Sequence, residues 1–259
     1  MKTSNMDSIV STRSRAKQTH VVARGEGKDG QRCQGVTPVL LMAGLFLLSL
    51  AAGAHNISDA NAQFVQGLSG SAPGTFLYLG AKHMVTGYDH LLYLVGVVFF
   101  LRHVRDVLVY VTLFTLGHSI TLMAGVLVNL SVNAYLVDTI IGLSVVYKAF
   151  ENINGFKQLF GFQLNARLAV FGFGLFHGLG LATKVQDLSL PQDSLVINML
   201  NFNVGVEIGQ ALALVCIVAL LGLWRHKPNF SRHAFMANTA LMSLGFMLAG
   251  YQFAGYVWS

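Results

Sequence analysis

Residues 195–224 read LVINMLNFNVGVEIGQALALVCIVALLGLW, a stretch of thirty residues in which Glu207 is the single charged side chain. An α-helix needs about 20 mainly apolar residues to cross the hydrocarbon core of a bilayer, so this stretch can cross it even with a tilt or a kink. Hydropathy windows of about 19 residues predict five further spans of the same kind. The six predicted spans are 74–101, 106–129, 132–153, 167–184, 195–224 and 234–258.

The composition places the whole chain in the same class. Of its 259 residues, 54% are hydrophobic and only 11% are charged, whereas a soluble domain carries about 25% charged residues. Residues 1–54 hold seven Lys and Arg against three Asp and Glu, and residues 55–259 hold ten against eight. The net charge of +6 is therefore mostly N-terminal, and nucleic acid is not expected as a partner. Cys33 and Cys216 lie far apart in unlike surroundings, which excludes a disulfide framework. The sequence predicts an all-α integral membrane protein embedded in a lipid bilayer.

The first 54 residues have the pattern of a secretory signal peptide. A polar, basic region is followed by an apolar run from Val39 to Ala52 and by Ala52-Gly53-Ala54, which fits a small-x-small cleavage site. We expect cleavage after Ala54 and a membrane domain over 55–259, with an uncleaved signal anchor as the alternative. Cleavage would leave a free amine beside the imidazole of His55, a pair that could bind a divalent metal. The alternative is that His55 is only a polar residue after the cleavage site.

The distribution of Lys and Arg between the spans predicts the orientation. Connections that carry several of these residues alternate with connections nearly free of them, such as 130–134 and 184–194. Because cytoplasmic loops are enriched in Lys and Arg, both ends of 55–259 are predicted to face outward. We thus expect a multi-pass protein of a bacterial-type inner membrane, with six transmembrane helices, N-out/C-out topology and a cleavable N-terminal signal peptide. The positively charged connections contain Arg102 and Arg105, then Lys157 and Arg167, then Arg225, Lys227 and Arg232.

The first span contains three ionisable side chains in a His-x5-Asp-His pattern, formed by His83, Asp89 and His90. Ionisable groups inside a membrane are expensive and are functional hypotheses by default. On one continuous helix, His83, Gly87 and His90 would share a face, with Gly87 leaving room between the imidazoles. Asp89 could bind a metal directly or orient a ligating ring. The pattern predicts metal binding, and a satisfied packing histidine is the alternative.

Later spans add two more histidines and a stripe of oxygen-bearing side chains. His118 and His177 lie within the second and fourth spans beside small residues, where a helix–helix hydrogen bond is the alternative to a metal site. In the fifth span Asn203, Glu207 and Gln210 follow i, i+4, i+7 spacing, which predicts one polar face. Such a stripe would suit a hydrated ion better than lipid.

Two further carboxylates lie in the third span. Asp138 is near its predicted outer end and could line an entrance, which makes it a weaker metal candidate, as are His55, Asn203 and Gln210. Glu151 lies near the cytoplasmic end and three residues after Lys148, which predicts an interfacial ion pair.

The donor types point to a borderline divalent transition metal. Imidazole suits Ni, Co, Cu and Zn, whereas Mg and Ca prefer oxygen. Cys216 is alone among the spans, which disfavours a copper(I) or iron–sulfur site. Thioether from Met84 or Met123 keeps copper open. We expect no tightly bound cofactor, and a transported or bound ion that is Ni²⁺ or, alternatively, Co²⁺, Zn²⁺ or Cu²⁺.

Four stretches in four separate spans resemble the HupE/UreJ family of hydrogenase and urease accessory membrane proteins, and most closely its second subfamily. The resemblance covers about residues 80–250 and keeps the order of the motifs. The stretches are 87–92 (GYDHLL), 116–122 (LGHSITL), 174–180 (GLFHGLG) and 202–210 (FNVGVEIGQ).

The resemblance implies a nickel or cobalt permease with an N-terminal signal peptide. His83, Asp89 and His90 match the family's first-helix metal motif, and His118, His177 and Glu207 match its later signature positions. The first-helix pattern is also similar to the His-x4-Asp-His helix of the broader nickel–cobalt transporters, although five residues separate His83 from Asp89 here.

Two functions follow from these observations. The leading hypothesis is a permease that moves Ni²⁺ or Co²⁺ along a path lined by His, Asp and Glu. The alternative is a non-transporting accessory protein that binds metal, a metalloenzyme or its maturation proteins. An enzyme is not expected, because the chain has neither Gly-x-Ser-x-Gly nor His-Glu-x-x-His. Glycine-rich faces can pack within one chain or between chains, which leaves a homo-oligomer open.

Overall fold

Apolar helices form the regular structure of residues 70–186 and 194–259, which are the residues that the computed structural model describes. These two ranges contain no strand. The predicted signal peptide, its cleavage point after Ala54 and His55 lie outside the described residues. The helices are α1 (Pro73–Thr86), α2 (Tyr88–Val98), α3 (Val104–Leu127), α4 (Ala134–Asn152), α5 (Gly155–Phe160), α6 (Ala166–Gln186), α7 (Leu195–Arg225) and α8 (Phe230–Trp258).

Four of the helices, α3, α6, α7 and α8, are long and apolar enough to cross a membrane. They coincide with the second, fourth, fifth and sixth predicted spans, so the chain has the build of a multi-pass membrane protein. The third predicted span corresponds to the 19-residue helix α4, whose three charged side chains make it more polar. These side chains are Asp138, Lys148 and Glu151.

The first predicted span, 74–101, is two helices rather than one. Gly87 has an extended backbone with ψ 101° and separates α1 from α2. Its N–H still donates to the His83 carbonyl at 2.9 Å. A side chain at Gly87 would crowd the His90 ring, since an added Cβ would lie 2.8 Å from its Nδ1. At 1.5 Å per residue, each half is shorter than the roughly 30 Å hydrocarbon core, so neither crosses it alone.

Reciprocal glycine contacts bring α3 and α6 together. A Cβ at Gly174 would overlap the Phe114 carbonyl, and one at Gly178 would overlap the His118 carbonyl. In the other direction, a Cβ at Gly117 would meet the Phe171 carbonyl. Because small residues let helix backbones approach closely, the backbone of α3 beside His118 rests directly on α6.

Two other helix pairs also pack closely at glycines. Helices α1 and α7 approach at Gly80 and Gly205, where an added Cβ would overlap the backbone of the facing helix. Helices α4 and α8 approach at Gly142 and Gly245. The pairs α1–α7, α3–α6 and α4–α8 thus fix the bundle, and α2 packs against α4, α7 and α8.

Hydrogen bonds tie helix ends together on both sides of the bundle. Arg225, at the end of α7, donates to the carbonyls of Val98, Phe99 and Leu101 at 2.6–2.7 Å, which satisfies the C-terminal carbonyls of α2. At the opposite side, the Gln186 amide at the end of α6 donates to the Gly125 carbonyl at 2.8 Å. The Arg225 side is the one that the charge distribution predicts to be cytoplasmic.

Candidate metal centre

Four imidazoles from four different helices meet inside the bundle. They are His83 of α1, His90 of α2, His118 of α3 and His177 of α6, hereafter the imidazole cluster. The His90 ring lies at the middle, with its centroid 4.9 Å from that of His83, 5.1 Å from His177 and 6.0 Å from His118. His90, His118 and His177 are buried, and His83 is half-buried.

Local packing explains how these side chains meet. The break at Gly87 turns α2 so that the His90 ring folds back beside His83, which places the two rings together without a continuous helical face. The glycine contact between α3 and α6 brings His118 and His177 to the same depth. Phe114, one turn before His118, packs its ring 4.9 Å from His177 and 6.5 Å from His90.

The Nε2 atoms of all four imidazoles are buried and have no hydrogen-bond partner among the described residues. The Nδ1 atom of His118 is in the same condition. Most buried polar groups in proteins are hydrogen-bonded, because leaving one unpaired in an apolar environment is unfavourable. Four imidazoles with such nitrogens in one cluster are therefore a candidate site for a ligand.

Two of the rings are oriented by their other nitrogen. His90 Nδ1–H donates to Asp89 Oδ1 at 3.0 Å, and His177 Nδ1–H donates to the Phe173 carbonyl at 2.7 Å. Since carboxylate and carbonyl oxygens only accept, the hydrogen of each neutral ring must sit on Nδ1. This leaves a lone pair on Nε2, which is the usual outer-shell arrangement of metal-binding histidines. Of the two roles considered for Asp89, the geometry displays that of orienting His90.

The cluster is not a closed metal cage. Within residues 70–186 and 194–259, no three His, Cys, Asp or Glu side chains are arranged so that they could hold one ion as they stand. The imidazoles are neighbours, but their nitrogens do not converge on a common point.

Helix α7 presents only part of its predicted polar stripe to the interior. Gln210 is buried and its Oε1 accepts from the Thr115 hydroxyl at 2.8 Å. Asn203 Oδ1 accepts from the Ser119 hydroxyl at 3.3 Å. Glu207 is exposed and is not brought to the imidazole cluster. The buried stripe of α7 runs through Phe202, Val206, Gly209 and Ala213, and Glu207 lies beyond its edge.

The two carboxylates of α4 both form ion pairs. Asp138 Oδ2 accepts from Lys184 Nζ of α6 at 2.8 Å, so the structure places it beside a lysine and not in the imidazole cluster. Glu151 Oε2 accepts from Lys148 Nζ at 2.8 Å, which confirms the predicted pair. Both partners of this second pair are buried among the helices.

The sequence analysis did not propose three side chains that lie in or near the site. Phe114 and Tyr93 pack against His177, and Tyr93 lies with its ring 5.4 Å away. Spacing offered a signal for both, because Phe114 is four residues before His118 and Tyr93 is three after His90. The third is Lys184, whose partner Asp138 is 46 residues away in the chain, a separation that gives no sequence signal.

Comparison with known proteins identifies a family for the chain. The family model described as HupE / UreJ protein matches residues 59–259, which is well over half of the chain and includes every helix of the imidazole cluster. No curated protein and no solved structure matches the chain. The chain therefore belongs to the HupE/UreJ family.

Proposed function

We propose that this chain is a membrane permease for a divalent transition-metal ion, with Ni²⁺ as its main substrate and Co²⁺ as an accepted relative. The observation that carries the proposal is the set of four buried Nε2 atoms without hydrogen-bond partners in the described residues. Membership of the HupE/UreJ family supports it, because the resemblance of the sequence motifs to that family implies nickel or cobalt transport.

The donor chemistry favours borderline metals. Neutral imidazole nitrogen is a good ligand for Ni²⁺, Co²⁺, Zn²⁺ and Cu²⁺ and a poor one for Mg²⁺ or Ca²⁺. The hydrogen bonds from His90 to Asp89 and from His177 to Phe173 keep the metal-binding nitrogen of each ring free. The ion is the substrate and no resident cofactor is needed.

The open arrangement of the cluster suits transport better than storage. A conducted ion must be bound well enough to enter and weakly enough to leave. Neighbouring rings 4.9–6.0 Å apart let an ion exchange one imidazole for the next, whereas a closed tetrahedral cage would hold it. In this proposal the half-buried His83 receives the ion together with His90, whose ring Asp89 orients, and His118 and His177 bind it next.

No catalytic residue is part of the proposal. The Ser119 hydroxyl donates to Asn203, so it is not paired with the neighbouring His118 as a nucleophile would be. Asn203 and Gln210 serve as polar neighbours on α7, each engaged with a hydroxyl of α3. The exposed Glu207 has no ligand role here.

A non-transporting accessory protein is the second candidate. The observation that favours it is the deep burial of the cluster, since His118 and His177 are each only 1% exposed. A protein that takes up one ion and delivers it to a metalloenzyme or a maturation partner would also bind Ni²⁺, but it would not move Ni²⁺ across a bilayer. Flux and binding therefore have to be measured side by side.

The test is uptake of ⁶³Ni²⁺ into proteoliposomes that contain the purified full-length protein. We expect the His90→Ala, His118→Ala double variant to lose uptake, because it removes the central ring and one neighbour. His103→Ala is the matched control, since His103 is exposed at the start of α3 and lies outside the cluster. Co²⁺, Zn²⁺ and Cu²⁺ are added in excess as competitors to rank the substrates.

The outcomes separate the two candidates. Uptake that the control retains and the double variant loses would establish a permease whose path includes α2 and α3. Binding of Ni²⁺ by the wild type without any uptake would refute the permease and favour the accessory role. Neither binding nor uptake would refute both.

A further inference from the structure

One face of α6 links the imidazole cluster to a lysine near the predicted outer side of the membrane. His177, Gly180 and Lys184 are spaced by three and four residues, so they lie one above the other on the same face of the helix. Lys184 is two turns from His177, a rise of about 10 Å. Gly180 has no side chain, so α6 itself puts nothing between the ammonium and the ring.

The Lys184 ammonium is held by a carboxylate of the neighbouring helix. Its Nζ donates to Asp138 Oδ2 at 2.8 Å, and the two side chains are 25% and 11% exposed. Helix α4 packs on Gly180, because a Cβ added there would lie 3.2 Å from Ile141 Cδ1 and Val137 Cγ1 and 3.4 Å from Asp138 Oδ1. The ion pair therefore lies at one end of this contact between α4 and α6, on the face of α6 that carries His177.

The ammonium also acts on the cluster. Lys184 interacts electrostatically with the Asp89 carboxylate and with the His83 imidazole, which lie where the ion enters in the proposed function. A fixed positive charge at this place repels an approaching divalent cation, and the field inside a low-dielectric bundle is weakly screened.

We propose that the Lys184–Asp138 ion pair is the gate for cations on the outer side of the imidazole cluster. This inference rests on the proposed function and adds to it the element that controls entry. Asp138 keeps the ammonium on α4 and away from Asp89. An entering divalent cation attracts the Asp138 carboxylate, the ammonium moves aside, and the cation reaches His83 and His90.

A purely structural ion pair would behave differently. If Lys184 and Asp138 only joined α6 to α4, loss of either partner would harm the protein in the same direction. If the pair is a gate, loss of the lysine and loss of the aspartate change the rate of cation entry in opposite directions. Without the ammonium, cations enter faster, whereas without the carboxylate the freed ammonium turns toward Asp89 and blocks the entry.

The experiment compares Lys184→Met, Asp138→Asn and the double variant in ⁶³Ni²⁺ uptake at low external Ni²⁺. We expect the initial rate to rise by about tenfold for Lys184→Met and to fall by about tenfold for Asp138→Asn, the order of effect that fixed charges have on ion entry. The double variant should match or exceed the wild type, because the blocking charge is gone. Lys184→Arg keeps the charge and should keep the wild-type rate.

A second readout does not depend on flux. Equilibrium binding of Ni²⁺ to the purified protein in detergent should be tighter for Lys184→Met and weaker for Asp138→Asn. A fall of both uptake and binding in both single variants, in step with a lower thermal midpoint, would overturn the gate and leave a structural bridge. Uptake and binding by Lys184→Met at the wild-type level would overturn the gate as well. If the wild type binds Ni²⁺ but does not transport it, the proposed permease fails, while opposite shifts in binding would still support an electrostatic gate at the cluster.

Discussion

Two groups of polar side chains inside the bundle differ in their hydrogen bonding. The first is the imidazole cluster, whose Nε2 atoms have no hydrogen-bond partner among the described residues. The second, hereafter the ion-pair cluster, consists of Lys148, Glu151, Asn152 and Asn238. Here Lys148 donates to Glu151, and Asn152 donates to Asn238 and to the Gly96 carbonyl, each at 2.8 Å.

The difference separates stabilisation from binding. In the ion-pair cluster the polar atoms of three helices, α2, α4 and α8, bond to one another, so the group holds the helices in register. In the imidazole cluster the helices are already held by glycine contacts, and the ring nitrogens remain available. Unpaired ring nitrogens cost free energy in the protein without an ion, and ion binding offsets this cost. The comparison predicts that changes in the first region alter stability and changes in the second alter metal binding.

The largest effect is expected for Glu151→Ala. This change leaves the buried Lys148 ammonium without its carboxylate, and breaking a buried ion pair destabilises a protein by about 3–5 kcal/mol. We expect a large drop of the thermal midpoint in detergent and a low yield of folded protein. The double variant Lys148→Met, Glu151→Met is the matched control, because removing both charges should restore most of the stability. A Glu151→Ala protein as stable as the wild type would contradict a structural role for the pair.

A change at His118 should leave the thermal midpoint intact and remove the effect of Ni²⁺ on it. Neither nitrogen of this ring has a partner in the described residues, so His118→Leu replaces an unsatisfied polar group by an apolar one of similar size, which is nearly neutral or stabilising. We expect the midpoint without metal to be equal or higher. The rise of the midpoint with added Ni²⁺ should disappear, because a ligand stabilises the folded protein only when its concentration is comparable to or above its Kd. A lower midpoint without metal would show that His118 has a structural partner.

A smaller loss is expected for Asp89→Asn. Asp89 orients the His90 ring through its hydrogen bond to Nδ1, and removing such an outer-shell carboxylate typically weakens metal binding by about 10- to 100-fold. The amide can still accept the hydrogen bond, so the effect should fall at the lower end. Isothermal titration with Ni²⁺ measures it. A loss as large as that of His90→Ala would mean that Asp89 binds the ion directly.

The sequence predicted much of this architecture and the four histidines that meet inside it. Apolar stretches located α3, α6, α7 and α8, and the cost of polar groups in a membrane identified His83, His90, His118 and His177, which do meet. These predictions hold because hydropathy and residue chemistry are local properties. Features that depend on contacts between helices could not be predicted from these local properties.

Four residues show where prediction from the sequence stops. Gly87 is compatible with a continuous helix, and its break becomes visible only with the contacts around His90. Lys184 and Asp138 lie on different helices, so their pairing depends on how α4 and α6 pack. Glu207 shares an i, i+4 relation with Asn203, but the direction of the buried stripe on α7 is set by the glycine contact with α1. The role of Glu207 in metal binding stays a prediction of the motif.

The smallest effect is expected for Glu207→Gln, where the motif and the structure make different predictions. If Glu207 compensated the charge of the bound ion, its loss would weaken Ni²⁺ binding strongly. Its outward-facing position on α7, away from the imidazole cluster, favours little or no change in Ni²⁺ binding. Gln210→Leu is the matched comparison one turn further along the same helix, because it removes the buried acceptor of the Thr115 hydroxyl and should perturb the bundle more. A tenfold loss of Ni²⁺ binding in Glu207→Gln, with an unchanged thermal midpoint, would contradict this view. The exposed face of α7 would then have to carry part of the ion path, and the cluster alone would not account for transport.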